Sequence, residues 1–81
     1  MQVTVAFYSY FKDLAGCAQV VETVKAKSTL GELVEQLTLR FPKLKPMSRS
    51  MLTAVGVDYQ DRSYLLREGD EVALFPPVQG G

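Results

Sequence analysis

The sequence has no histidine and one cysteine, Cys17, and its nine basic and nine acidic side chains cancel. Without histidine, imidazole acid–base chemistry, a Ser-His or Cys-His nucleophile pair and the usual zinc ligand sets are excluded, and no metal site is expected. One cysteine cannot close an internal disulfide, which favours a reducing compartment. No apolar run is long enough to span a bilayer, and no basic-then-apolar leader opens the chain, so the expected location is the cytoplasm. A net charge of zero lacks the electrostatic footprint expected for nucleic acid or an anionic membrane as partner. The expectation is a domain that does little chemistry with its own side chains.

At 81 residues the chain is one domain. A domain of this size buries only ~60% of its unfolded surface, so most large apolar residues are needed inside. A hydrophobic content of 47% with 22% charged residues suits a packed core and argues against disorder.

Hydrophobic periodicity supplies the elements. Val3, Val5 and Phe7 alternate within Gln2 to Tyr8, as in a strand with one buried face. Tyr10 to Ala15 has the spacing of a short helical turn, closed by Gly16, and the valine-rich Ala18 to Lys25 reads as a second strand. Thr29-Leu30-Gly31-Glu32 has the form of a capping box, and Leu30, Leu33, Val34, Leu37 and Phe41 then recur at helical spacing. Pro42 ends that helix at Phe41, and Gly31 is a small local cost within it. Lys43 to Ser50 is an irregular connector with a turn of 3₁₀ helix. Met51 to Val57 is a third strand kinked at Gly56, Asp58 to Arg62 a polar turn, Ser63 to Leu66 a fourth strand and Glu71 to Phe75 the last. Gly69 supplies the positive φ of the turn before it.

This order, β-β-α-β-β-β, predicts an α+β domain over residues 1–75: a mixed sheet of about five strands with one long helix on one face, its first and last strands parallel at the centre. Residues 76–81 form an extended tail. Pro76 and Pro77 have no amide hydrogens, so sheet pairing stops there and the chain stiffens. At ~3.3 Å per residue the tail reaches roughly 20 Å. Gly80 and Gly81 lack a Cβ and fit a channel closed to other residues. The expectation is that the terminal carboxylate of Gly81 is the working group.

The stretch Gly69-Asp70-Glu71-Val72, followed by Phe75-Pro76-Pro77-Val78-Gln79-Gly80-Gly81, resembles the C-terminal signature of the small, sulfur-carrying subunits of molybdopterin synthase, a family of ubiquitin-like β-grasp proteins. The likeness extends over Phe7-Tyr8, Leu14-Ala15-Gly16, the helix and Leu52-Thr53-Ala54-Val55; Gly56 departs from it, where the family often carries asparagine. The resemblance implies a non-catalytic subunit with no bound cofactor. An E1-like activating enzyme would use ATP to adenylate Gly81, and sulfur would then be installed as a thiocarboxylate. The tail, Pro76, Pro77, Val78, Gln79 and Gly80 included, would enter the active site of a large subunit within a heterotetramer. There two such sulfurs would build the dithiolene of molybdopterin from a cyclic pyranopterin monophosphate. Other readings of the same tail are a carrier for thiazole or tRNA thiolation, a ubiquitin-like modifier joined through Gly81, and an interaction module with an idle tail.

If Val3, Val5, Phe7, Val72 and Leu74 face the core, Tyr8 and Phe75 point the other way, and side by side they make an exposed apolar patch at the tail root, of the kind that marks a partner surface. Tyr59 aligns with a further contact position of the family. Against these stand features with plainer readings. Arg40, Lys43, Lys45 and Arg49 are a solvated basic edge, Glu68, Asp70 and Glu71 a solvated acidic turn, and Cys17 an incidental thiol rather than a persulfide acceptor.

Overall fold

A computed structural model describes residues 1–77 of the chain; the roles expected of Val78, Gln79, Gly80 and Gly81 lie outside the described residues. Among the described residues there are five strands and two α-helices: β1 (Gln2–Phe7), α1 (Phe11–Ala15), β2 (Gln19–Thr23), α2 (Leu30–Arg40), β3 (Leu52–Val55), β4 (Asp58–Tyr59) and β5 (Glu71–Phe75), with a 3₁₀ helix over Pro42–Met47. The sheet runs β2-β1-β5-β3-β4. β1 and β5 are its parallel centre, in register Val5 to Val72 and Phe7 to Leu74, while β2 and β3 add antiparallel on either side. This is the β-grasp arrangement, with the first and last strands side by side at the centre, as the element order led one to expect.

The alternation in β1 and β5 sends Val3, Val5, Phe7, Val72 and Leu74 to one face, where they are buried with Leu30, Leu33 and Leu37 of α2. The capping box forms as read: Glu32 N–H donates to the Thr29 hydroxyl at 3.1 Å, and Thr29 N–H donates to the Glu32 carboxylate at 2.9 Å. Phe41 closes α2 and sets its ring edge-on to Phe7, centroids 5.5 Å apart. No helix among the described residues is long and apolar enough to cross a membrane.

Two segments differ from the sequence reading. Strand β3 stops at Val55, and Gly56, at φ 63°, reverses the chain, so Asp58 and Tyr59 pair back onto Val55 and Ala54. The expected polar turn is therefore the edge strand β4. Ser63 to Leu66 makes only one bridge, Leu65 to Thr29. Its neighbourhood is committed to the start of α2 instead: Leu30 N–H donates to Tyr64 O and Gly31 N–H to Arg62 O, while Leu66 N–H donates to Ser28 O. Those partners meet helix donors that have no intrahelical acceptor, and a sheet ladder cannot use the same groups.

The 60–63 loop is fastened from within. Arg62 is half-buried and donates to Ser48 O at 2.6 Å and Thr53 Oγ1 at 3.1 Å; burial lowers the pKa of its guanidinium below the ordinary arginine value. Asp61 accepts from the Ser63 hydroxyl and from the Ser63 amide, and these bonds hold its carboxyl below the ordinary 3.8.

Candidate functional site

Helix α2 covers one face of the sheet. On the other, pairing brings Ala6, Ala73, Ala54 and Tyr59 into one row across four strands. The next row begins where β1 ends. Tyr8 N–H continues the parallel ladder by donating to Leu74 O at 3.1 Å, which sets Tyr8 beside Phe75, and Leu52 pairs with Phe75 on the far side. The rings of Tyr8 and Phe75 stack, centroids 4.7 Å apart and planes 15° from parallel. Tyr59 meets Phe75 edge-on at 6.2 Å. Small side chains thus make a floor from which three rings rise along one side.

The three aromatics singled out from the sequence are therefore brought together. Tyr8 is 46% exposed and Tyr59 69%, which is costly for rings of this size unless something covers them. The sequence reading missed Val57, which is 96% exposed at the tip of the β3–β4 hairpin. With Tyr8, Tyr59 and Phe75 it lines a cleft of ≈ 250 Å³ floored by Ala54 and Ala73. It also missed Leu52 and Ala54. The alternation of β3 holds the signal for both, but only the register against β5 turns it into a face. Glu71 is the acidic residue on β5, in the row of Thr4 at the opposite end of the strand from Phe75.

Pro76 and Pro77 follow Phe75 directly, so the chain leaves the sheet at the aromatic row. The other candidates lie in different settings. Arg40 is no free cation of a basic edge: its guanidinium pairs with Glu22, a carboxylate only 4% exposed, which also accepts from Gln36 at 2.9 Å. Lys43, Lys45 and Arg49 are exposed. In the acidic turn, Glu68 accepts from Gln2 N–H and Asp70 from Arg67 N–H, so both brace the turn. Cys17 is half-buried after Gly16, packed against the core with its thiol directed at Ala15 O.

With this geometry in place, the chain can be set beside known proteins. The family model described as "ThiS family" matches residues 5–81. The molybdopterin synthase sulfur carrier subunit of Arabidopsis thaliana is 25% identical over 81 residues, covering 100% of this chain and 84% of that protein. Its counterpart from Drosophila yakuba is 30% identical, covering 100% and 92%. Among solved structures, the putative molybdopterin converting factor, subunit 1, of Pyrococcus furiosus superposes with a TM-score of 0.88 at 26% identity, over 96% of this chain and 99% of that one.

Proposed function

The chain belongs to the ThiS family, and on that premise we propose that it is the sulfur carrier of a molybdopterin synthase. The reacting group is the carboxylate of Gly81. Attack of that carboxylate on ATP, on a separate E1-like enzyme, forms an acyl adenylate and releases pyrophosphate. A reduced sulfur donor then displaces AMP, exchanging a C–O bond for C–S and leaving a thiocarboxylate. The large subunit receives the tail and directs the sulfur onto a pterin precursor, two such transfers making one dithiolene. The tail's composition suits this work, because two glycines without Cβ atoms pass where larger residues would clash.

The observation that carries the proposal is the Tyr8–Phe75–Tyr59 cluster on a bare sheet face at the root of the tail. Exposed rings on a rigid sheet are what a partner needs to grip a carrier while its terminus reaches an active site. Acid–base work falls to the partners, since the chain offers no histidine. The sulfur carriers named above are similar over the whole of this chain and over 84% and 92% of their own length, which supports the same role here.

The test is intact-mass measurement after incubation with activating enzyme, ATP and a sulfur source. Wild type gains the mass of an oxygen-to-sulfur exchange, localised to the C-terminal peptide, and the product converts the pterin precursor with the large subunit. Deleting Gly81 leaves stability unchanged and abolishes both, because the carboxylate falls one residue, ~3.3 Å, short. Sulfuration and pterin conversion by the deletion variant at the wild-type level would overturn the proposal, and isopeptide-linked adducts without pterin conversion would make the chain a protein modifier.

A further inference from the structure

Strand β2 is one outer edge of the sheet. The pairs Phe7–Ala18 and Met1–Val24 carry the hydrogen bonds of the β1–β2 ladder, Phe7 N–H donating to Ala18 O and Val24 N–H to Met1 O. Antiparallel ladders alternate bonded and non-bonded pairs, so Gln2–Thr23, Thr4–Val21 and Ala6–Gln19 are non-bonded. On β1 the freed groups turn inward, as Thr4 N–H donating to Asp70 O shows. On β2 they turn outward: the N–H and C=O of Gln19, Val21 and Thr23 face away from the sheet. Among the described residues the one side chain that meets them is Gln36, which donates to Thr23 O at 3.1 Å and leaves that carbonyl a second lone pair.

Natural edges are usually blunted by lysine, proline or a bulge. β2, Gln-Val-Val-Glu-Thr, has none of these. Its only charge, Glu22, is buried on the helix side and neutralised by Arg40. Val21, at the centre of the strand, is 56% exposed.

We propose that β2 is an interaction surface for a second copy of this chain, the two strands pairing antiparallel about a two-fold axis at Val21. The outward groups sit symmetrically about that residue. Val21 meets its own mate and Gln19 meets Thr23 of the other copy, and all three positions have their donors and acceptors in phase; a centre shifted by one residue either way leaves one of them unpaired. No like charges lie opposite. The contact is isologous and closes at two copies. Its axis stands perpendicular to the sheet, so both α2 helices lie on the same side. Leu39 is 83% exposed and lies one turn beyond Gln36, the residue that reaches over this edge, so the axis brings the two Leu39 flanks toward one another. The aromatic face stays open. An edge of five residues makes the association reversible rather than obligate.

The test is light scattering on the full chain over a concentration series to the millimolar range, with amide hydrogen exchange on the same samples. Wild type rises from the 9.0 kDa of one chain toward twice that mass, and the Val21 amide gains protection with concentration. Val21→Pro removes only an outward donor, a position where edge strands accept proline, and holds the one-chain mass throughout. Val21→Lys places two cations on the axis and does the same, which decides the matter if the proline variant does not fold. Phe75→Ala dimerises as wild type does. The proposal fails if wild type keeps the one-chain mass at every concentration, if the folded Val21 variants associate like wild type, or if Phe75→Ala alone abolishes association.

Discussion

Gly31 N–H donates to Arg62 O at 2.9 Å, and a Cβ on Gly31 would stand 3.2 Å from both that oxygen and the Arg62 Cβ. The glycine is thus what lets the 60–63 loop dock on the first turn of α2. Read as sequence, Gly31 is a mild defect in a helix.

Glycine to alanine in a helix ordinarily gains about 1 kcal/mol. Here the neighbours cannot easily give way. Arg62 is tied through its backbone to Gly31 and through its guanidinium to Ser48 and Thr53. Overpacking of this kind costs ~1–3 kcal/mol. Gly31→Ala is therefore expected to lower the free energy of unfolding, by up to about 2 kcal/mol, when measured by chemical denaturation. A stabilised variant would show that the loop is free to move.

The second prediction concerns Arg40 and Glu22. Removing one partner of a buried ion pair leaves the other charge desolvated, at a cost of 3–5 kcal/mol in fully buried cases. Arg40 is half in solvent and Gln36 still bonds Glu22, so Arg40→Met is expected to cost about 1–2 kcal/mol. Lys43→Met, at an exposed position, should fall within about 0.5 kcal/mol of wild type. Equal denaturation midpoints for the two variants would return Arg40 to the solvated edge.

What was legible in the sequence follows from where each element gets its stability. β1, α2 and β5 carry their own signals, alternation in two and a capping box with an apolar stripe in the third, and each lies where its pattern puts it. β4 carries none: both its residues are exposed, and it exists because Gly56 turns the chain back onto β3. The apolar run Tyr64-Leu65-Leu66 misleads in the other direction, since its backbone partners belong to a helix terminus distant in sequence. Glu22 and Arg40 could not be paired from spacing, because the sheet–helix crossing that joins them is a tertiary fact. Tyr8 and Phe75 could be, since one parallel register between the end strands is enough to set them side by side.

Cys17 gives a third prediction, resting on the proposed function. Sulfur that travels on the Gly81 carboxylate needs no protein thiol. Cys17→Ser should keep full sulfur transfer to the pterin precursor, with a stability change within about 1 kcal/mol at this half-buried site. A folded Cys17→Ser protein that accepts adenylate and transfers no sulfur would instead place a persulfide on this residue.

The last prediction separates docking from folding at the aromatic row. A core residue of the same strand sets the scale: Leu74 is fully buried, and Leu74→Ala should cost 2–5 kcal/mol of stability. Tyr8 and Phe75 stack on the uncovered face, where the ring pair itself is worth about 0.5–1.5 kcal/mol beyond the area it covers. Tyr8→Ala or Phe75→Ala should therefore leave the domain folded and cost it less than Leu74→Ala does. Binding is a different quantity, because rings that anchor a partner are fully desolvated only in the complex. Each truncation is expected to weaken capture by the large subunit by ~1–4 kcal/mol, read by calorimetric titration on protein shown to be folded by its amide spectrum. Val57→Asp, at an exposed hairpin tip with no core contact to lose, extends the test across the cleft: it should leave the unfolding midpoint unchanged and still reduce binding. Wild-type affinity for all three folded variants would mean that the rings only shield the sheet, and the partner would have to grip the chain elsewhere.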